Sequence, residues 1–175
     1  MKEYYNNPEA TSKVFQDGYF ATGDIGVFVD GFLKITDRKK DLIKTAGGKY
    51  VAPQKLENLL KLNRFISNVL IYGDRQKYIV GLITLDEEQI LKHAKEQGRS
   101  FKSFDTLSRS DSVYEIVRKA VAETNSQLAS FETIKNFAIL ERDFTIEAGE
   151  LTPSMKVKRK TCAEKFQDLL DGLYN

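Results

Sequence analysis

The sequence predicts an α+β protein built on a small three-stranded sheet with covering helices, preceded by a β-hairpin arm. Two apolar, β-branched runs carry this prediction: FISNVLIY at residues 65–72 and YIVGLITL at residues 78–85. A Gly-Asp-Arg segment separates them, so we expect the two runs to pair as antiparallel strands. A third run, IKNFAIL at residues 134–140, adds one more strand to an antiparallel or mixed sheet.

Turn and helix signals surround these strands. The Gly47-Gly48 pair predicts a short hairpin, and Pro53 is suited to the first position of a helix. Asp86 with Gln89 is close to a helix-capping sequence, and Gly98 is well placed to end that helix. The positions expected to face the core in these two helices are Leu56, Leu59, Leu60, Ile90, Leu91 and Ala94.

The second half of the chain predicts two longer helices. Residues 112–129 carry an apolar stripe at helical spacing, and residues 159–173 form the last helix. We expect the polar segment 99–111 and the Gly- and Pro-containing segment 145–154 to be loops. The inward positions are Val113, Ile116, Val117, Ala120, Val121 and Leu128 in the first helix and Ala163, Phe166, Leu169, Leu170 and Leu173 in the second.

The N-terminal arm has many aromatic side chains and few elements to bury them. Asn7 and Pro8 are typical of a helix start. Asp30-Gly31 lies between two apolar segments and predicts a hairpin, although two strands alone are marginal in water. We therefore expect the arm to belong to a larger body. Its aromatic residues are Tyr4, Tyr5, Phe15, Tyr19, Phe20, Phe28 and Phe32.

Composition suits a globular domain and excludes several classes of protein. Of the 175 residues, 41% are hydrophobic and 30% charged, and 27 basic against 25 acidic residues give a net charge of +2. This balance argues against nucleic-acid binding, which favours a strongly basic domain. The single cysteine, Cys162, excludes an internal disulfide and suits a reducing cytoplasm. No apolar run reaches the roughly 18 residues that a membrane span needs.

Four segments in a fixed order resemble a known family: YYNNPEAT, DGYFATGD, DGFLKITDRKKDLIKTAGGKYVAPQKLEN and LTPSMKVKRK. Together they resemble the C-terminal part of the adenylate-forming superfamily, which includes acyl-CoA synthetases, luciferases and peptide-synthetase adenylation domains. The sequences of these four segments are most similar to those of the long-chain fatty acyl-CoA synthetase branch. The resemblance extends from Tyr4 to about Phe166 and implies the fold of the C-terminal lid domain of these enzymes.

The resemblance also implies how the chain is divided. Residues 1–37 would be the end of the large adenylating domain, residues 38–41 the hinge, and residues 42–175 the lid domain. The phosphate loop and the acid-binding pocket of the large domain are not in this sequence. We therefore expect a fragment that is inactive alone and whose partner is the missing N-terminal domain.

The implied reaction uses ATP, with Mg²⁺ as its complex, and coenzyme A. A fatty acid carboxylate attacks the α-phosphate to give acyl-AMP and pyrophosphate, and the thiol of coenzyme A then displaces AMP. Catalysis of this kind depends on positioning and on charge stabilisation. The full-length enzyme is expected to be cytoplasmic or peripheral to a membrane.

The resemblance assigns ribose contacts to two residues. Asp24, in a Thr-Gly-Asp turn, matches the residue that holds the ribose hydroxyls, and a carboxylate can accept hydrogen bonds from both of them. The alternative is a turn aspartate that bonds its own backbone. Arg38 matches the arginine that contacts the ribose or a nearby phosphate. Its alternative is a surface pair with Asp37 or Asp41.

Three further features match family positions near the joint. Lys40 falls on the hinge position, and a solvated cation is the alternative. Gly47 and Gly48 match the loop that lines the pantetheine tunnel, where glycine allows a ligand close to the backbone. A tight hairpin turn is the alternative there, and both interpretations can hold. Lys44 corresponds to a lysine that matters for the second half-reaction in some relatives.

Lys156 matches the catalytic lysine of the adenylation step. An ammonium group is a compact charge that can contact both the attacking carboxylate and the α-phosphate. Many relatives have glycine before this lysine, where this chain has Met155, and Lys158 is a rival assignment. The other interpretations of KVKRK are a basic start to a helix and a nucleic-acid or nuclear-signal tract. His93, the only histidine, is expected to be exposed and idle, and no metal site is predicted.

Two other functions stay open. The first is the lid of an enzyme that adenylates aryl acids or amino acids. The second is a binding module of this fold without catalysis. The long segment between Gly98 and Phe131 and the MKVKRK sequence favour the long-chain branch. We also expect the apolar hairpin of the arm to be able to pair with a second copy, which would give dimers.

Overall fold

The computed structural model describes residues 1–98 and 103–175, which form two compact units, Met1–Leu42 and Ile43–Asn175. The helices are α1 (Pro8–Val14), α2 (Pro53–Leu60), α3 (Glu87–Glu96), α4 (Phe104–Ser108), α5 (Asp111–Asn125), α6 (Arg159–Lys165) and α7 (Gln167–Gly172). The strands are β1 (Phe15–Gln16), β2 (Tyr19–Phe20), β3 (Asp24–Val29), β4 (Phe32–Arg38), β5 (Ile43–Lys44), β6 (Tyr50–Val51), β7 (Ile66–Tyr72), β8 (Ile79–Leu85) and β9 (Ile134–Ile139). A short 3-10 helix spans Lys39–Asp41.

The first unit contains the two predicted N-terminal elements. Asn7 caps α1, since its Oδ1 accepts a hydrogen bond from the Ala10 N–H at 3.0 Å. Strands β3 and β4 form the predicted hairpin, and the Asp30-Gly31 turn has positive φ at both residues, 51° and 83°. Left-handed φ at both positions is the geometry that matches the twist of a two-residue hairpin. The hairpin leaves Phe28 and Phe32 nearly four-fifths exposed, 78% and 79%.

A smaller hairpin in the same unit was not predicted. Strands β1 and β2 pair Phe15 with Phe20, and their rings lie 5.5 Å apart. The connecting Asp17-Gly18 turn again has two positive φ values, 50° and 80°. Strands of two residues are too short to show an alternating pattern, so only the Asp-Gly pair could have indicated this turn.

The second unit contains the predicted three-stranded sheet, in the order β7-β8-β9. Strand β8 is antiparallel to β7 and parallel to β9, so the sheet is mixed. At the β7–β8 turn, a Cβ on Gly73 would lie 2.7 Å from Cδ1 of Ile79 and 3.1 Å from the carbonyl oxygen of Tyr78. The turn is closed tightly enough to require glycine.

Both faces of this sheet are covered, which confirms the α+β arrangement. Alternate residues along β8 serve the two sides: Ile79 and Ile83 face the larger core, and Val80 and Leu82 face the smaller one. The larger core is completed by α2 to α5, for example by Leu56, and the smaller by the segment from residue 140 onward with α6 and α7. The sheet is therefore the central layer of the second unit.

The loop predicted at residues 99–111 and the helix predicted at residues 112–129 were wrong in detail. Residues 99–111 do not form one loop: Ser103 caps α4 and Ser110 caps α5, and residues 99–102 lie outside the described range. Serine is favoured both in loops and at helix N-caps, so composition alone does not separate the two. The predicted helix 112–129 ends at Asn125.

The predicted helix 159–173 is interrupted at Phe166, whose φ of −109° and ψ of 24° separate α6 from α7. The interruption rotates the last turns, so Leu170 is fully buried while Leu169 is 40% exposed instead of facing inward. In the part of the chain that the structure describes, no helix is long and apolar enough to cross a membrane.

Candidate functional site

Asp24 and Arg38 occupy paired positions at the open end of the β3–β4 hairpin. The Arg38 guanidinium Nε lies 3.3 Å from Oδ1 of Asp24. Gly23, with φ of 75°, and a hydrogen bond from the Asp24 N–H to the Thr22 hydroxyl at 3.1 Å shape the turn before β3. The sequence offered a surface pair of Arg38 with Asp37 or Asp41 as the alternative, and the structure shows an ion pair of Arg38 with Asp24. The Asp37 carboxylate accepts the backbone N–H of Arg38 at 2.6 Å.

A shallow depression of about 300 Å³ lies beside this pair, lined by Thr22, Gly23, Arg38, Lys39 and Lys40. Its rim carries three cationic side chains and a hydroxyl, with the Asp24 carboxylate adjacent. The Lys39 N–H donates to the carbonyl of Gly23 at 2.8 Å, which fixes the backbone on both sides. Such a surface suits a ligand that has both hydroxyl groups and negative charge.

The Gly47-Gly48 turn joins β5 to β6 in the second unit. The Thr45 N–H donates to the carbonyl of Lys49 at 3.0 Å, and the Thr45 hydroxyl accepts the Lys49 N–H at 3.2 Å. Gly48 has φ of 76°, whereas Gly47 does not have a positive φ. A Cβ on Gly47 would meet only the Thr45 hydroxyl oxygen, at 4.0 Å, so open space adjoins this backbone.

The β5–β6 hairpin is hydrogen-bonded to the turn between β7 and β8. The Arg75 N–H donates to the carbonyl of Lys44 at 2.8 Å, and the Ala46 N–H donates to the carbonyl of Gln76 at 2.9 Å. Oδ1 of Asp74 accepts the Lys44 N–H at 3.1 Å. The Lys44 ammonium lies 5.7 Å from the centre of the Tyr50 ring. The two glycines are thus presented on a fixed base.

Lys156 ends a tight turn that begins at Thr152. The Thr152 N–H donates to the carbonyl of Lys156 at 2.8 Å, and the Thr152 hydroxyl accepts the Lys156 N–H at 3.1 Å. Met155 has φ of 60°, a left-handed conformation that favours glycine. The backbone therefore has the conformation of a glycine at the position where the resemblance expects one.

The Lys156 side chain is exposed and borders a groove of about 150 Å³ whose other walls include Gln54, Asn68 and Val69. Lys158, the rival, is also exposed and directly precedes α6. Its backbone N–H donates to the carbonyl of Glu150 at 2.7 Å. The groove lies near the beginning of β7, whereas the Gly47-Gly48 turn is bonded to the turn after β7. The two features lie toward opposite ends of one strand.

Sequence reasoning missed two acidic residues of the second unit that form ion pairs, Glu150 and Glu57. Glu150 has a fully buried carboxylate, which accepts two hydrogen bonds from Arg142, at 2.6 and 2.8 Å, and lies 2.7 Å from the Lys165 ammonium. The bonds from Arg142, then Lys165 and the Thr145 N–H, outweigh the cost of burial and lower the pKa of Glu150 to about 2.

The second acidic residue is Glu57, on the otherwise apolar inner face of α2. It pairs with Arg159 through two bonds, at 2.7 and 3.0 Å. A glutamate on a buried helix face was the one sequence signal for this pair, because buried acids need a partner. Its arginine lies within the KVKRK run, which sequence reasoning considered only for the catalytic lysine and as a basic segment.

The two remaining reactive side chains have structural environments. Cys162 is fully buried, and burial raises the pKa of its thiol to about 11, so the thiol stays protonated at neutral pH. His93 is half-buried instead of exposed, with its ring 5.0 Å from that of Phe65. Across residues 1–98 and 103–175, no group of three or more His, Cys, Asp or Glu side chains is arranged to hold a metal ion.

The fold and the ordered motifs define the class of this protein: the C-terminal domains of adenylate-forming enzymes. The model of the AMP-binding enzyme C-terminal domain family matches residues 40–175. The chain belongs to this family, which confirms the resemblance seen in the sequence.

Two curated relatives place the chain more closely. It is 45% identical over 177 residues to the long-chain-fatty-acid–CoA ligase FadD15 of Mycobacterium tuberculosis, covering 98% of this chain and 29% of that protein. It is 35% identical over 179 residues to long-chain-fatty-acid–CoA ligase 5 of Mus musculus, covering 99% of this chain and 26% of that protein. The chain thus spans less than a third of the length of these relatives.

Two solved structures have the same fold as this chain. The adenylation domain of a carboxylate reductase from Mycobacterium chelonae superimposes with a TM-score of 0.75 at 26% identity, covering 98% of this chain and 26% of that one. The adenylation domain of a carboxylic acid reductase from Segniliparus rugosus, solved with AMP and a co-purified carboxylic acid, gives a TM-score of 0.71 at 26% identity. It also covers 98% of this chain and 26% of the other.

Proposed function

We propose that the chain is the C-terminal part of an ATP-dependent long-chain fatty acid–CoA ligase, an acid–thiol ligase. One observation carries this proposal: the identity of 45% to a long-chain-fatty-acid–CoA ligase extends over 98% of the chain. Such identity spans the hairpin arm and the whole second unit, not one motif. The reaction is assigned to the full-length enzyme, and the chain alone is expected to be inactive.

The proposed reaction proceeds in two displacements. A carboxylate oxygen of the fatty acid forms a bond to the α-phosphorus of ATP, and the bond to pyrophosphate breaks. The sulfur of coenzyme A then bonds to the acyl carbon, AMP leaves, and the thiol gives up its proton. Mg²⁺ is assigned only as the ion that accompanies ATP, because the described residues offer no cluster to hold it.

Asp24 and Arg38 are proposed to bind the ribose and a nearby phosphate of the nucleotide. The support is their pairing at 3.3 Å beside a cationic depression. Pairing with Arg38 orients the Asp24 carboxylate, and its remaining acceptor sites suit two adjacent hydroxyls. The Arg38 fork has five N–H donors, and one pair leaves others for a phosphate oxygen.

Lys156 is proposed to stabilise the charge that develops during adenylation, between the attacking carboxylate and the α-phosphate. The support is the left-handed backbone at Met155, which matches the glycine found before the lysine in the family, and the exposed position of the side chain. Lys158 has no equivalent turn before it. A fixed cation close to the reacting phosphate lowers the barrier without reorganisation.

Gly47 and Gly48 are proposed to line the path of the pantetheine arm during thioester formation, with Lys44 supporting the same step. The open space beside the Gly47 backbone and its fixed seat support this role. We assign residues 1–37 to the large domain, residues 38–41 to the hinge and residues 42–175 to the lid. Lys40 is exposed in a short 3-10 helix, and it is the residue whose backbone torsion angles would change at the hinge.

The missing N-terminal domain of the same enzyme is the proposed partner of the arm. The exposed side chains of the β3–β4 hairpin, among them Phe28 and Phe32, suit an apolar neighbour. Pairing with a second copy is the alternative, and it predicts dimers of the isolated chain in light scattering. We further propose that the full-length enzyme is cytoplasmic or is peripheral to a membrane.

The test is a substrate screen with the full-length gene product, ATP and coenzyme A, with thioester release as the readout. Long-chain fatty acids should be the best substrates. Preference for aryl acids or amino acids would instead assign the chain to another adenylating branch. The likeness to a carboxylate reductase adenylation domain is a reason to include other acids in the screen. No turnover with any acid would favour a non-catalytic module.

A further inference from the structure

We propose that Arg159 is a positioning residue: through its ion pair with Glu57 it fixes the backbone from which Lys156 projects. This inference rests on the proposed function, because it concerns the adenylation step assigned to Lys156. It adds a residue pair that lies outside the turn itself and that joins three elements of the second unit.

Four hydrogen bonds connect the two side chains with each other and with β7. The two terminal guanidinium nitrogens of Arg159, Nη1 and Nη2, donate to the Glu57 carboxylate at 2.7 and 3.0 Å, a bidentate contact. Arg159 Nη1 also donates to the carbonyl of Ile71 at 3.0 Å. Glu57 Oε1 accepts the N–H of the same Ile71 at 2.9 Å. The start of α6 is thereby tied to α2 and to β7 at once.

This attachment is partly removed from water. The side chain of Glu57 is 12% exposed and that of Arg159 is 27% exposed. Screening is weaker at such a site than at the surface, so the geometry is held more firmly than in an exposed pair. It also covers the outer edge of β7, since β7 pairs with β8 alone.

The chain between Arg159 and Lys156 is short and is itself held. Val157 forms a bridge with Leu151, and the Lys158 N–H donates to the carbonyl of Glu150 at 2.7 Å. The Glu150 carboxylate is in turn fixed by Arg142 and Lys165. The backbone between the two residues is therefore held in place, and the ion pair of Arg159 is its anchor on the α6 side.

The same pair borders the groove beside Lys156. Glu57 and Arg159 line this groove of about 150 Å³ together with Lys156 and Met155. The bidentate pair therefore lies in the lining of the groove beside the exposed Lys156 side chain, which is proposed to reach the α-phosphate. Misplacement of a reacting group by about 1 Å can cost roughly 100-fold in rate.

The test uses Arg159→Lys and Glu57→Gln in the full-length enzyme, with both half-reactions measured separately. Arg159→Lys keeps the charge but loses the fork, and Glu57→Gln keeps the shape but loses the charge. Each should slow acyl-AMP formation by about 10- to 100-fold. Each should leave thioester formation from supplied acyl-AMP within about two-fold, since that step does not use Lys156. Combining either change with Lys156→Ala should cause no further loss in adenylation.

Arg118→Lys is the matched control. Arg118 also makes a bidentate pair, with Glu115 on α5, but at an exposed site. It should change neither half-reaction. A parallel fall of both half-reactions in the Arg159 variant, together with a lower melting temperature, would assign the pair a merely structural role and overturn the inference. So would an unchanged rate of adenylation. If Lys156→Ala itself spared adenylation, the assignment of Lys156 would fail, a result separate from either of these.

Discussion

Asp24 and Arg38 face each other across the β3–β4 hairpin, with Arg38 Nε 3.3 Å from Oδ1 of Asp24. The pair is half open to solvent, with the arginine side chain 56% exposed and the aspartate 27%. An exposed pair of this kind adds at most about 1 kcal/mol to stability. The pair thus contributes little to stability, and the proposed nucleotide contact gives it a different role that can be tested.

The first prediction concerns this contact. Asp24→Asn in the full-length enzyme should weaken AMP binding by roughly 10- to 100-fold, because hydrogen bonds to a charged acceptor contribute about 1.5–3 kcal/mol. The melting temperature should hardly change. Titration calorimetry with AMP measures the effect. Asp30→Asn, in the turn of the same hairpin, is the control and should bind AMP normally. Equal weakening in both variants would argue against a ribose contact at Asp24.

The second prediction separates structure from function at two adjacent glycines. Gly48 has φ of 76°, so Gly48→Ala should lower the free energy of unfolding by about 1 kcal/mol. Gly47 has no such φ and its Cβ would meet no atom closer than 4.0 Å, so Gly47→Ala should leave stability unchanged. It should nevertheless slow thioester formation while sparing acyl-AMP formation. Normal rates of both steps in Gly47→Ala would contradict the pantetheine role.

The third prediction concerns the left-handed residue before Lys156. Met155→Gly should keep adenylation and leave stability within about 1 kcal/mol, because relief of strain offsets the greater freedom of the unfolded chain. Met155→Val should lose about 1–3 kcal/mol and slow adenylation, since a β-branched residue is strained at positive φ. Urea unfolding and pyrophosphate exchange measure the two effects. A Gly variant less stable than the Val variant would refute this account of the turn.

The fourth prediction concerns the pH dependence of stability. The pKa of Glu150 is lowered from 4.5 to about 2, so its contribution is fully present above pH 4.5 and is lost as the pH falls toward 2. At neutral pH this linkage is on the order of 3 kcal/mol. Urea unfolding of the parent chain and of Glu150→Gln should therefore differ strongly at pH 7 and much less near pH 3. An equal difference at both pH values would contradict the lowered pKa.

Much of the fold could be predicted because the strands of its sheet are rich in apolar and β-branched residues. The run at residues 78–85 became β8 with a difference of one residue at its start, Ile79–Leu85. Every residue of β8 is buried, so its pattern depends little on distant contacts. The parallel pairing of β9 with β8 could not be chosen beforehand, because both pairings bury the same side chains.

The sequence offered candidate site residues only where a motif marked them. It named Asp24 and Arg38 individually, but their pairing depends on the register of the hairpin, which shifts at a bulge between Ile25 and Gly26. The support of Lys156 was missed because its ion pair joins Glu57 to Arg159, 102 positions apart. Contacts at that separation follow from the packing of α2 and α6 on one sheet and leave almost no local signal.

The most direct test of the proposed function is Lys156→Ala in the full-length enzyme, compared with Lys158→Ala, two positions away in the same basic run. Acyl-AMP formation in Lys156→Ala should fall by about 100- to 1,000-fold, as when a single preorganised donor is lost. Thioester formation from supplied acyl-AMP should stay within about two-fold, and Lys158→Ala should behave as the parent in both steps. Equal loss of both half-reactions in Lys156→Ala, or selective loss of adenylation in Lys158→Ala instead, would contradict the assignment.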